Sequence, residues 1–158
     1  MSAVHGSISS KHGGSRAASA VLELVPELAH VSDSEARHYD ARPTTLLCPS
    51  EQLPFVGICL LEADAPVEIK SAMVVYGQAQ TKGRFYLRRG QHERLLDDAG
   101  VYLFAVCEPT PQRDVIAMKL VPATVVEDLV TSWIEPDGRA DYAQIRWSRV
   151  FTGQEVSA

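Results

Sequence analysis

The sequence predicts an α/β (α+β) protein, a central mixed sheet flanked by helices. Three observations lead there. Val101–Cys107 (VYLFAVC) is a continuous apolar run of the kind that a strand buried on both faces needs. Two further strand-like runs, Val67–Tyr76 and Val115–Val121, lie before and after it. Helical spacing fills the gaps, at Gln91–Ala99 and Ala123–Trp133. At 158 residues the chain fits one domain, and a domain of that size hides roughly 68–70% of its unfolded surface without staples.

The elements follow in order. Residues 1–16 (MSAVHGSISSKHGGSR) are Ser/Gly-rich without periodicity and predict a flexible tail, ahead of a single domain over 17–153 and frayed residues 154–158. From Arg16 to about Val31, the residues Ala17, Val21, Leu24, Val25 and Leu28 keep helical spacing, with Pro26 demanding a break or a late start. Ser32 or Asp33 can cap a short helix ahead of Pro43. Thr44–Cys48 is a short β-prone run ended by Pro49. Phe55–Leu61 and Val67–Tyr76 then predict an antiparallel hairpin, with Asp64 at the tip of the turn between them. After a turn at Thr81–Gly83, Arg84–Leu87 is a short extended piece. Leu95 and Leu96 face inward on the Gln91 helix, which Gly100 stops. Past Val121, the residues Val126, Leu129 and Val130 give the next helix its inner face, and Tyr142–Trp147 alternates as a closing strand.

Charge is unevenly spread. The chain carries −5 overall, yet residues 82–94 (KGRFYLRRGQHER) hold five basic residues against the single acid Glu93. That strip is +4 and the remainder −9, a pattern that can bind a polyanion while the acidic body stays soluble. Arg84, Arg88 and Arg89, interleaved with Phe85 and Tyr86, suit a groove that tracks a nucleic-acid backbone beside a stacking platform. Phe85 and Tyr86 read equally well as core and edge residues of a strand. The cysteines Cys48, Cys59 and Cys107 are odd in number and too dispersed for a disulfide framework or a zinc knuckle. Cys59 and Cys107 lie in apolar runs and are expected as buried, reduced thiols. No apolar run approaches the ~20 residues that span a bilayer. The first sixteen residues lack the apolar stretch of a signal peptide, so a cytoplasmic protein is expected.

The chemistry concentrates in Ala65–Ala72, APVEIKSA. Glu68 and Lys70 are two apart on a predicted strand, so both side chains leave one face while Val67 and Ile69 leave the other. A carboxylate can hold Mg²⁺ against a phosphate, and an ammonium can orient water or offset developing charge. The tripeptide alone also describes a plain same-face ion pair worth ~0.2–1 kcal/mol. No P-loop, dinucleotide fingerprint or G-x-S-x-G elbow accompanies it.

With its context (VEIKSA, then GRFYLRRGQHERL, then VYLFAV) the sequence resembles the PD-(D/E)xK nuclease superfamily, and within it small archaeal members. The likeness covers roughly residues 55–107 and extends loosely to 142–151. It implies a restriction-endonuclease-like fold and a DNA endonuclease that uses Mg²⁺ or Mn²⁺. Glu68 and Lys70 match the D/E-x-K motif, and Gln91 matches the polar residue that opens the following helix and points at the site. Backbone contacts fall to Lys82, Arg84, Arg88, Arg89, His92 and Arg94, and a homodimer is implied because two strands need two sites. The family also expects an acid on the first hairpin strand, about ten residues before Glu68, where Gly57 and Ile58 stand. The expected substitutes as metal ligands are Asp64 and Glu62, then Glu51, or Asp40 further upstream. Without such an acid the alternative is a catalytically inactive nucleic-acid-binding or assembly module on the same fold.

Overall fold

The computed structural model describes residues 15–36 and 38–157; the predicted tail, up to residue 14, lies outside the described residues. A first helix, α1, spans 15–24 and so takes in residues 15 and 16. Ala17 and Val21 are its buried stripe. Pro26 ends it: Val25 N–H still reaches Val21 O at 2.9 Å, and the chain then straightens into β1, Leu28–His30. The helical spacing that ran on to Leu28 therefore divides between a helix and a strand. Ser32 opens a turn rather than a helix, bonding Glu35 N–H and Ala36 N–H through its carbonyl.

The remaining elements are β2 (Ala41–Pro43), β3 (Val67–Met73), β4 (Arg84–Arg88), α2 (Arg89–Asp97), β5 (Val101–Cys107), β6 (Val115–Pro122), α3 (Ala123–Leu129), β7 (Tyr142–Arg146) and α4 (Gly153–Ser157). A mixed five-stranded sheet runs in the order β1-β2-β3-β5-β6, with β3 and β5 parallel and the other pairs antiparallel. Parallel neighbours need a crossover, and β4 with α2 makes it. β4 pairs with β7 in a second, two-stranded sheet. Gly83 brings β4 onto the end of β3, where a Cβ would stand 2.0 Å from Met73 O. Only glycine fits there.

The large sheet is covered on both sides. Val67 and Ile69 pack with Leu103, Met118 and Leu120 beneath α1. Ala72, Tyr102 and Phe104 pack beneath β4, α2, α3 and β7 through Phe85, Leu95, Val126 and Ile145. Every residue of β5 is buried, as its unbroken apolar run requires. Strand alternation puts Glu68 and Lys70 on the second face, against α2.

Four expectations fail, each for a visible reason. Phe55–Leu61 is not a strand, because Gly57 turns at φ 77° and the segment is tied to β6 instead, through Val56 N–H to Leu120 O at 2.9 Å. The neighbour of β3 is β2, and Cys59, no longer in a strand, is exposed. Thr44–Cys48 contributes one bridge, Leu47 to Leu61. Residues 153–157 form α4 instead of fraying: Thr152 N–H bonds Glu155 Oε1 at 2.8 Å and Glu155 N–H bonds Thr152 Oγ1 at 3.1 Å. That is a reciprocal capping box, and it buries Val156.

Candidate active site

Glu68, Lys70 and Gln91 come together. Lys70 Nζ lies 3.3 Å from Glu68 Oε2 and donates to Gln91 Oε1 at 3.0 Å, so the third residue of α2 reaches down to β3. Glu68 is only 3% exposed, and its Oε1 is buried without a hydrogen-bond partner. A buried carboxylate oxygen left unpaired costs several kcal/mol unless the group keeps its proton or meets a cation. Burial accordingly pushes the Glu68 carboxyl up to about 9, helped by the neighbouring Asp40 carboxylate and opposed by the Lys70 ammonium.

Of the acids named as substitutes, Asp40 is the one placed beside Glu68. It stands immediately before β2, and its backbone extends the ladder on both sides, receiving Val31 N–H at 2.7 Å and donating to Val67 O at 2.9 Å. Its Oδ2 accepts Ile69 N–H at 2.9 Å, so Asp40 is fixed alongside the x of the E-x-K motif. The strand that follows this acid is only three residues long and is joined to β3 by more than twenty. A strand that short leaves no periodicity to find.

The other acids named from sequence are not brought to Glu68. Asp64 turns at φ 69°, its side chain is 82% exposed, and its nearest cation is Arg42 at 4.0 Å. Glu62 is exposed in the same turn, where its carbonyl accepts Ala65 N–H. Glu51 is likewise exposed. Gly57 and Ile58 sit on the irregular segment against β6, with Gly57 facing Val125 of α3.

His92 is a correction. It is fully buried rather than facing a groove, bonded to Tyr102 Oη at 2.9 Å through Nδ1 and to Glu127 Oε2 at 2.5 Å through Nε2. Since a carboxylate only accepts, Nε2 carries the hydrogen toward Glu127. Tyr102 is the register partner of Glu68 on β5. The histidine thus braces α2 against the strand beside the site, a role no sequence spacing reveals.

The basic strip divides as well. Arg84 and Arg88 lie on the exposed face of β4, and Lys82 sits 5.3 Å from the Trp147 ring. Arg89 is instead engaged by Glu93 at 3.3 Å, Glu135 at 3.4 Å and Asp141 at 3.2 Å, which leaves it little charge to offer a phosphate. Arg94 is exposed toward the end of α2, where it lines a shallow cleft with His38 and Asp98. Arg146 of β7, not singled out from sequence, joins Arg84 on the exposed face by register.

The donor set can be tested against a divalent cation. Among the described residues no cluster of three or more His, Cys, Asp or Glu side chains forms a closed metal cage. What exists is a pair of neighbouring carboxyls, Asp40 and Glu68, the second with a buried oxygen that has no hydrogen-bond partner. That set suits Mg²⁺, which is held by one or two carboxylates and keeps its other positions for water and phosphate oxygens.

A family model described as PD-(D/E)XK nuclease superfamily domain matches residues 5–152. No curated protein and no solved structure was found to match. Among the described residues, no helix is long and apolar enough to cross a membrane.

Proposed function

The chain belongs to the PD-(D/E)XK nuclease superfamily, and from that premise we propose that it is a metal-dependent endonuclease hydrolysing phosphodiester bonds in DNA. One observation carries the reading: a buried Glu68 with an unpartnered oxygen, set beside Asp40 and within 3.3 Å of the Lys70 ammonium.

Asp40 and Glu68 would hold the cation, Mg²⁺ or Mn²⁺, whose contribution is to polarise the phosphate and make bound water more acidic. Lys70 is fixed by Glu68 Oε2 and Gln91 Oε1, which leaves one of its three N–H donors for a phosphate oxygen or a water. The charge that builds on the phosphorane is then met by a cation already in position, with no reorganisation. Gln91 acts through Lys70 and can also turn its amide N–H donors toward the substrate. The acid lacking at Gly57 and Ile58, the ground for an inactive module, is supplied by Asp40, and this favours hydrolysis over recognition alone.

The test is cleavage of supercoiled plasmid and a four-way junction with Mg²⁺, Mn²⁺ or EDTA. Metal-dependent nicking that disappears in Asp40→Asn, Glu68→Gln and Lys70→Ala is expected. Nicking that persists in all three variants would place the activity elsewhere and sink the assignment.

A further inference from the structure

Beyond the acidic pair, β3 runs into a cavity of about 410 Å³ floored by Ser71–Met73 and walled by β4, β7 and the β5–β6 loop. Ser71 and Met73 leave the face of β3 opposite Lys70 and Ala72 leaves the same one, so the cavity adjoins the strand's far end, its last residue about 10 Å beyond Lys70. The lining includes Arg84 and Arg113, the exposed rings of Tyr76 and Tyr86, and Gln144, with no carboxylate among its residues. In a chain with twenty acidic residues that selection has a direction. A second cavity of similar size, about 450 Å³ beside β6, has the opposite lining, with Glu51 and Glu155 and no cation.

Two further features point to a nucleotide. The outer face of β4 and β7 sets Arg84 directly opposite Arg146, a like-charge pair that costs stability unless an anion lies over it. Tyr86 is 43% exposed and stacks on Tyr142 at 4.9 Å and 15°. Tyr86 lines the cavity and Tyr142 does not, so the stacked pair stands at its edge. A stacked, part-exposed tyrosine beside arginines is a platform to which a base can add.

We propose that this cavity is a nucleotide subsite that takes one unpaired base next to the phosphodiester held at Lys70, so that the substrate is single-stranded or locally unpaired at the cut. The inference rests on the nuclease reading and narrows its substrate class. A base inside a continuous duplex is already stacked on both faces and cannot enter a recess of this kind without being extruded.

Binding is measured by fluorescence anisotropy in EDTA, using the full chain with a labelled single-stranded oligonucleotide, the blunt duplex of the same sequence, and that duplex with one unpaired end. The chain should prefer the single strand and the open end over the blunt duplex by about tenfold. Tyr86→Ala and Arg113→Gln should each bring that ratio down toward one, and Tyr86→Phe should keep it, because stacking needs the ring and not the hydroxyl. Equal affinity for all three probes, no binding of any, or a ratio unmoved in Tyr86→Ala, overturns the subsite. Cleavage with Mg²⁺ is scored separately. Lys70-dependent cleavage without single-strand preference removes the subsite and keeps the nuclease; the expected preference without cleavage of any probe keeps the subsite and removes the nuclease.

Discussion

Among the described residues, Lys119 and Lys70 are each drawn in against the sheet by a glutamate, and the two pairs are opposites. Lys119 on β6 meets Glu155 of α4 at 2.7 Å and 3.0 Å, bonds Val150 O at 2.9 Å, and lies 4.9 Å from the Phe151 ring. Glu155 also receives Thr152 N–H, and these donors hold its carboxyl below the usual range against the desolvation that pushes it up. Lys70 and Glu68 are the same two residue types, yet they sit 3.3 Å apart with one carboxylate oxygen unpartnered and another acid alongside. The first pair fastens the C-terminal turn to the sheet. The second keeps a buried carboxyl oxygen unpartnered beside another acid, the kind of group that marks a candidate ligand site.

The largest effect that separates the pairs is on activity. Glu68→Gln and Asp40→Asn should each lower metal-dependent cleavage by at least about 10²-fold. Differential scanning in the presence and absence of Mg²⁺ should show a metal-dependent rise in Tm for the parent and none for Glu68→Gln, since only a ligand that binds the native state shifts its melting. Without metal, Glu68→Gln should melt above the parent at pH 7, because it removes a buried carboxyl that folds at a cost. A lower Tm for this variant would mean that the Glu68–Lys70 pair is as structural as the other.

Lys119→Ala should do the reverse. It strips three contacts and the packing over Phe151 from a residue 8% exposed, a loss of about 2 kcal/mol in denaturant unfolding, with cleavage unchanged. A Lys119 variant that folds normally but no longer cuts would break the contrast.

The two carboxyls also give stability opposite pH slopes. Unfolded Glu68 loses its proton near 4.5, whereas the folded residue keeps it to about 9. Between those values the native state binds more protons than the unfolded one, so stability falls as pH rises, by at most about 1.4 kcal/mol per unit from this group. Urea midpoints of the metal-free protein from pH 5 to 8.5 should show that decline, and the profile of Glu68→Gln should be flatter over the same range. The groups facing Glu68 are Asp40, Lys70 and Tyr102, and burial first, then Glu68, raises the Tyr102 hydroxyl as well.

What could be read from sequence follows from how local each signal is. β5 is bounded at Val101 and Cys107 as its apolar run suggests, because a strand buried on both faces writes its whole length in apolar residues. The face shared by Glu68 and Lys70 follows from alternation alone. Asp40 is different: its place beside Glu68 comes from the pairing of Ala41 with Val67, a contact of long sequence separation carried by a three-residue strand. Phe55–Leu61 has strand composition but carries Gly57 at a positive φ, and tertiary pairing with β6 decides its path. The buried position of His92 depends on Glu127 and Tyr102 arriving from two other elements. The Thr152–Glu155 capping box, by contrast, is a local T-x-x-E signal that the expectation of a frayed end passed over, and it answers for α4.

The smallest effect expected from the comparison is that of Glu155→Gln. The glutamine Oε1 can keep Thr152 N–H at its 2.8 Å position and still accept from Lys119, so the capping box survives with its geometry. What is lost is the 2.7 Å contact of the other oxygen, where an amide N–H2 would now face an ammonium, and with it the charge. The Glu155 side chain is 35% exposed, so water screens much of that loss, and a cost below about 1 kcal/mol is expected near pH 7. Because its folded pKa is depressed, the stability Glu155 supplies is present above the unfolded value of 4.5 and fades as pH falls through the folded one. Acid unfolding should therefore set in at the same pH or slightly higher in the parent than in Glu155→Gln, once each is scaled to its neutral stability. A Glu155→Gln variant that instead loses as much as Lys119→Ala would show that the charge, and not the network of donors around it, holds the C-terminal turn in place.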